Sequence, residues 1–171
     1  MDLILATAAD AADIAVVKTT GWRTTYAAWV PEAVLAPFLD VGAQAEALAS
    51  ELRTPPNFGL VAREGRVLGF ATCLLAGRDE PLLDSLHVLP EARGRGVGSA
   101  LLARVACELE PRASLVVKVV EENVRTRGLY ERLGARYVGT APAGWAPEFV
   151  REAEYRWDDL AGLRVGPTAA G

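Results

Sequence analysis

Residues 82–102, LLDSLHVLPEARGRGVGSALL, impose the strongest constraint on what this chain can fold into. A strand-like run (82–88) stops, and a turn carrying Gly94, Gly96 and Gly98 follows. Leu101, Leu102, Val105 and Leu109 then recur at helical spacing. A strand-turn-helix junction of this kind exposes N–H groups at the helix start, where the macrodipole adds partial positive charge. Glycines there admit backbone conformations closed to other residues, so the junction suits an anion. Arg93 and Arg95 add full charges, which fits a pyrophosphate better than a single carboxylate. Two phosphate loops are excluded by spelling. The P-loop needs a lysine, and none lies between Lys18 and Lys118; G-x-G-x-x-G fails because Ser99 or Leu101 takes the last position.

The rest of the chain supplies alternating elements around this junction. Residues 2–5 read as a strand, and Asp10 is placed to cap a helix carrying Ile14 and Val17 before Gly21 interrupts it. A helix over about 42–53 stops before Pro55-Pro56. Residues 58–63 and 67–75 form a hairpin across Glu64-Gly65-Arg66. Residues 114–120 (SLVVKVV) read as a buried strand, Leu129, Tyr130 and Leu133 as a short helix ending at Gly134, and 136–139 with 149–157 as a last strand pair. The second half therefore predicts βαβ units and a partly parallel sheet. We expect one domain over residues 1–160 and a frayed tail over 161–171.

Composition narrows the function classes. Hydrophobic residues make up 51% of the 171, ample for a core, and no stretch reaches a membrane span. A net charge of −4 argues against bulk attraction to nucleic acid or anionic membrane. The N-terminus lacks the pattern of a secretion signal, so a cytoplasmic address is expected. Cys73 and Cys107 read as buried thiols, and no metal site is expected.

What remains at the glycine-rich turn is Arg93-x-x-Gly96-x-Gly98, and this resembles the pyrophosphate loop of the GNAT superfamily of acyl-CoA-dependent N-acetyltransferases. LHVLPEARGRGVGSALL looks like that superfamily's fourth strand, loop and third helix; ENVRTRGLYERLGARYVG is similar to its later Asn-containing helix with the Tyr-x-x-x-Gly ending. The resemblance implies an α/β (α+β) fold with a mixed, mostly antiparallel central sheet, one parallel pair of strands splayed around the acyl-CoA, and helices on both faces. It also implies acetyl-CoA (coenzyme A) as acetyl donor and a small-molecule or peptide amine as acceptor. A homodimer is common in the family.

Residue by residue, the resemblance sets Leu86, His87 and Val88 along the pantetheine, and Arg93, Gly94, Arg95, Gly96, Val97, Gly98 and Ser99 around the pyrophosphate. Tyr130 occupies the position of the tyrosine that protonates the departing sulfur, although its helical spacing also suits a core residue. Asn123 is read as a helix cap that also reaches the pantetheine, and Arg127 as a neighbour of the adenosine 3′-phosphate or a solvated arginine. For the base that takes the amine proton, the strand offers Asp84 and His87. These face opposite sides on a two-residue period unless a bulge intervenes, and water is an alternative acceptor. Acceptor recognition is assigned to Trp22, Tyr26, Trp29, Glu32 and Trp145, with Glu148 beside them: aromatic walls with acids suit a cationic amine. Trp22 and Trp29 read equally well as core anchors of a helix pair. Two rivals stand beside transfer to a small amine: a non-catalytic acyl-CoA-sensing module, and a protein N-terminal acetyltransferase.

Overall fold

The computed structural model describes residues 1–109 and 114–164. Its centre is a seven-stranded sheet in the order β1-β2-β3-β4-β5-β7-β6. The strands are β1 (Asp2–Leu5), β2 (Phe58–Glu64), β3 (Arg66–Leu74), β4 (Leu82–Val88), β5 (Leu115–Val120), β6 (Arg136–Pro142) and β7 (Arg151–Trp157). Every neighbouring pair is antiparallel except β4 and β5, which run parallel. The mixed, mostly antiparallel sheet with one parallel pair is therefore as expected.

Period-two alternation sends side chains to both faces of β2 and β3, and both faces are covered. Leu60, Ala62, Leu68 and Ala71 meet Leu101, Leu102 and Val105 of α4 (Val97–Glu108), in a core that extends to Tyr130 of α5 (Val124–Arg132) and Leu163 of α6 (Ala161–Arg164). Val61, Val67 and Phe70 face the other way, onto Ile14 and Val17 of α1 (Ala11–Thr25) and Leu48 of α3 (Val41–Leu52). A third cluster seats α2 (Glu32–Leu35) through Leu35, with Val30, against Val120 and Val150.

Four local expectations are corrected. Gly21 does not interrupt the first helix: α1 continues to Thr25, because tertiary packing on β4 outweighs the propensity cost of one glycine. Asp10 does not cap that helix by its side chain. It reaches back instead, accepting from the Thr7 N–H and hydroxyl at 2.8 and 2.9 Å, and pairs with Arg63 at 2.9 Å. Cys73 is buried in β3, but Cys107 is exposed, since it falls opposite the Leu101/Leu102/Val105 stripe of α4. Of the residues expected to fray, 161–164 form α6, with Leu160 and Leu163 buried against the core, and 165–171 lie outside the described residues.

Candidate active site

The cleft originates in a broken strand pairing. β4 and β5 are joined only at Leu82↔Val116 and Leu83↔Val117. Beyond this, β4 stays with β3 as far as Val88↔Gly69, and β5 stays with β7 as far as Val120↔Glu152. Each strand is thus held by its outer neighbour while the inner edges part. The divergence begins at a bulge: Thr72 pairs with Ser85 and Cys73 with Leu83, which leaves Asp84 as the extra residue on β4. The resulting cleft of about 430 Å³ is lined by Leu83–Val88, Val117–Val119, the glycine-rich turn and the inner face of α5.

At one end of the cleft, the turn folds as the glycines demand. Gly94 and Gly96 both have φ of +80°, a left-handed conformation that would strain any residue with a Cβ. Gly96 precedes α4 directly, so the N–H groups of Val97, Gly98 and Ser99 have no intrahelical acceptor and stand at the cleft wall. Val97 is buried and anchors the turn to the core.

The arginines divide differently from the sequence reading. Arg93 lines the cleft, but its guanidinium donates to the Val88 carbonyl at 3.2 Å and to the Thr24 and Thr25 hydroxyls at 3.2 and 3.4 Å, tying the turn to the end of α1. Arg95 points away, into an ion pair with Glu64 at 2.7 Å, and only its backbone belongs to the turn. Arg127 also turns away: it donates to the Tyr155 hydroxyl at 3.0 Å and the Glu121 carbonyl at 2.8 Å, a structural brace and not a cleft residue. Arg125, Arg132 and Lys118 do line the cleft, and the sequence reading missed them. Burial first, and then the nearby Arg125 charge, push the Arg93 pKa down, so positive charge is concentrated here. Lys118 carried a visible signal, being the one charge in an otherwise apolar strand.

Tyr130 and Asn123 come from α5. Asn123 caps the helix by accepting from the Thr126 N–H at 3.2 Å, and it also lines the cleft with Thr126. Tyr130 is only 3% exposed, its ring packed against Trp157 and Tyr155 at 5.5 and 6.2 Å. Its hydroxyl has no hydrogen-bond partner among the described residues, although the residue lines the cleft. Burial, with the neighbouring Tyr26, pushes its pKa well above the usual phenol range. The core and cleft readings of Tyr130 thus describe two ends of one side chain.

The bulge decides the orientation of the two candidate bases. Leu83 and Leu86 both pack toward α4, three residues apart, so the face alternation resets between them. His87 lies on the α1 side, its ring stacked on Phe70 at 5.6 Å, and the Asp84 charge is felt by Glu51 of α3. The two are therefore on one side, as a bulge allows. Burial, with Lys18 and Arg93 nearby, pushes the His87 pKa down to about 3, too weakly basic to retain an amine's proton near neutrality. Asp84 is exposed at the cleft wall and accepts from the Ser85 hydroxyl at 3.1 Å.

The expected aromatic wall is closed on itself. Trp22 stacks on Phe38 at 4.5 Å and meets Tyr26 and Trp145 edge-on at 4.8 and 5.0 Å, so Trp22 and Trp145 belong to the third core cluster and not to the cleft lining. Trp29 is 37% exposed, and Glu32 and Glu148 are also exposed, all three outside the cleft. Only Tyr26 of this set lines it, half-buried, with its pKa pushed up to about 12 by burial and by Glu152. Glu152 on β7 accepts from Trp145 Nε1 at 2.8 Å and was missed, because strand alternation alone does not show which outward carboxylate meets an aromatic.

The sequence profile of the Acetyltransferase (GNAT) family matches residues 22–135, about two thirds of the chain. This chain belongs to the GNAT acetyltransferase family. An uncharacterized N-acetyltransferase of Mycobacterium tuberculosis (strain ATCC 25618 / H37Rv) is 31% identical to this GNAT protein over 110 residues, 62% of this chain and 70% of the relative. Among solved structures, the ribosomal-protein-alanine N-acetyltransferase of Brucella melitensis superposes with a TM-score of 0.72 at 25% identity, over 91% of this chain and 98% of that one. The PaiA N-acetyltransferase of Thermoplasma acidophilum, solved with coenzyme A, gives 0.72 at 17% identity over 92% and 99%, which shows the shared GNAT fold.

Proposed function

We propose that this protein transfers an acetyl group from acetyl-CoA directly to a primary amine of a small molecule or peptide, with residues 1–160 as the transferase domain. The observation that carries the reading is the unpartnered hydroxyl of buried Tyr130, on the cleft where β4 and β5 part. The residues present fit the cofactor. The open N–H groups of Val97, Gly98 and Ser99 with Arg93 and Arg125 suit a pyrophosphate, and the unpaired inner edge of β4 at Leu86–Val88 suits an amide-bearing arm. Two proteins of the same fold were solved with such a molecule: PaiA with coenzyme A, and YncA of Salmonella typhimurium with acetyl-CoA, at a TM-score of 0.68 and 20% identity over 92% of this chain and 93% of that one.

Acetyl-CoA supplies the thioester whose carbonyl an amine attacks and whose sulfur departs. The chain's own contributions are three. The β4 edge orients the arm and offers an N–H toward the carbonyl oxygen. Tyr130, kept protonated by burial, donates its hydroxyl proton where thiolate charge develops. The proton lost by the amine goes to Asp84 or to water at the cleft mouth, and Tyr130 regains a proton from solvent, so the net transfer is one proton from nitrogen to sulfur. His87, held neutral and stacked on Phe70, serves to shape the wall.

Calorimetry with acetyl-CoA, followed by thiol release across a panel of amines and alanine-initiated peptides, tests the reading. Absence of acyl-CoA binding refutes it. Binding without thiol release on any acceptor would favour the sensing module, and release on peptides alone would favour the N-terminal acetyltransferase.

A further inference from the structure

A second, smaller cavity of about 200 Å³ adjoins the main cleft. It is lined by residues of β6, from Val138 to Pro142, together with Lys118, Glu152 and Glu154, and Lys118 lines both spaces. Its charges do not balance. Lys118 stands opposite Glu154 in the β5–β7 ladder at 3.8 Å, and Glu152 makes no ion pair among the described residues. One oxygen of Glu152 is fixed by the indole N–H of Trp145 at 2.8 Å, and the other has no hydrogen-bond partner among the described residues. The side chain is half-buried beside an aromatic cluster. Trp145 in turn lies 6.5 Å, ring to ring, from Tyr26, which lines the main cleft together with Tyr130. Glu152 is therefore an oriented carboxylate with unspent negative charge, linked through Trp145 to Tyr26 of the main cleft.

We propose that Glu152 is a specificity-determining residue that seats a second cationic group of the acceptor, so that the preferred acceptors are diamines and similar amines carrying a positive charge besides the nitrogen that reacts. The chemistry separates the two nitrogens. The attacking amine must be neutral, whereas a carboxylate displaced into a side groove anchors a charge that stays on. The indole N–H of Trp145 holds the carboxylate in one orientation. This inference rests on the transferase reading for its use in turnover, but binding tests it separately.

The experiment titrates 1,5-diaminopentane and n-pentylamine into the full chain and follows tryptophan fluorescence, for which Trp145 is the local reporter, with calorimetry alongside. The wild-type protein is expected to bind the diamine at least tenfold more tightly than the monoamine. Glu152→Gln, which keeps the hydrogen bond to Trp145, should abolish that difference, and Glu152→Asp should restore part of it. In turnover, Glu152→Gln should raise KM for the diamine about tenfold with kcat changed less than threefold and acetyl-CoA affinity unchanged. Equal binding of the two amines by the wild type, or undiminished diamine binding by a folded Glu152→Gln, overturns the proposal. Diamine binding that depends on Glu152 without acetyl transfer to any amine would leave the site standing and refute the transferase reading instead.

Discussion

Gly21 of α1 lies directly against His87 of β4: a Cβ at position 21 would come within 2.5 Å of the imidazole Nδ1 and 3.2 Å of its Cγ. The helix that sequence reasoning ends at this glycine instead uses it to approach the cleft strand. The ring can yield only by leaving its stack on Phe70, since its strand is fixed on both sides of the bulge by β3.

Gly21→Ala is therefore expected to destabilise the protein despite a better helix former. The propensity gain is about 1 kcal/mol, and forcing a methyl into a packed contact costs about 1–3 kcal/mol. Urea denaturation should show a net loss, larger than that of Gly162→Ala, where a Cβ would meet nothing within 4 Å.

Stability should fall on acidification through His87. The native state keeps the ring neutral down to about pH 3, whereas in the unfolded chain it takes up a proton near the ordinary value of 6.5. Below 6.5 the unfolded state thus binds more protons, so this contribution is fully present above pH 6.5 and is lost progressively toward pH 3. Unfolding free energies measured over that window should slope with pH in the wild type by up to one proton more than in His87→Gln. Parallel slopes would show that the ring titrates normally in the native protein.

Tyr130→Phe separates chemistry from packing. The hydroxyl has no hydrogen-bond partner to lose among the described residues, so stability should stay within about 0.5 kcal/mol. Turnover should fall by about a hundredfold or more, with acetyl-CoA affinity changed little, as removal of a general acid requires. Equal turnover in the two proteins would take Tyr130 off the proton path.

Two arginines two residues apart on α5 should behave in opposite ways. Arg125 lines the cleft, so Arg125→Ala should weaken acetyl-CoA binding about fivefold or more at low salt, less at high salt, and leave stability unchanged. Arg127 braces Tyr155 and the Glu121 carbonyl, so Arg127→Ala should cost about 1–2 kcal/mol of stability and leave acetyl-CoA affinity unchanged. Calorimetry and thermal denaturation on the same two variants decide it.

What the amino-acid sequence determined by itself is local. The glycine-rich turn, its left-handed Gly94 and Gly96, the strand before it and the helix after it all follow from residue types at short spacing, because backbone sterics and helix-end chemistry act within a few residues. The same holds for Asn123 as a cap and for the apolar faces of α4 and β3. Tertiary structure decided where charged and aromatic side chains spend their polar groups. Arg93, Arg95 and Arg127 sit in or beside the expected motifs, yet each guanidinium is claimed by partners 5 to 69 positions away. Long side chains choose among partners that only the packed fold brings within reach. Trp22 and Trp145 likewise closed on Phe38 instead of opening a pocket, since burying the rings against one another removes more apolar surface from water than lining a cleft would. The bulge at Asp84 belongs to the same class: it is a mismatch between two strands, and one strand read alone carries no record of it.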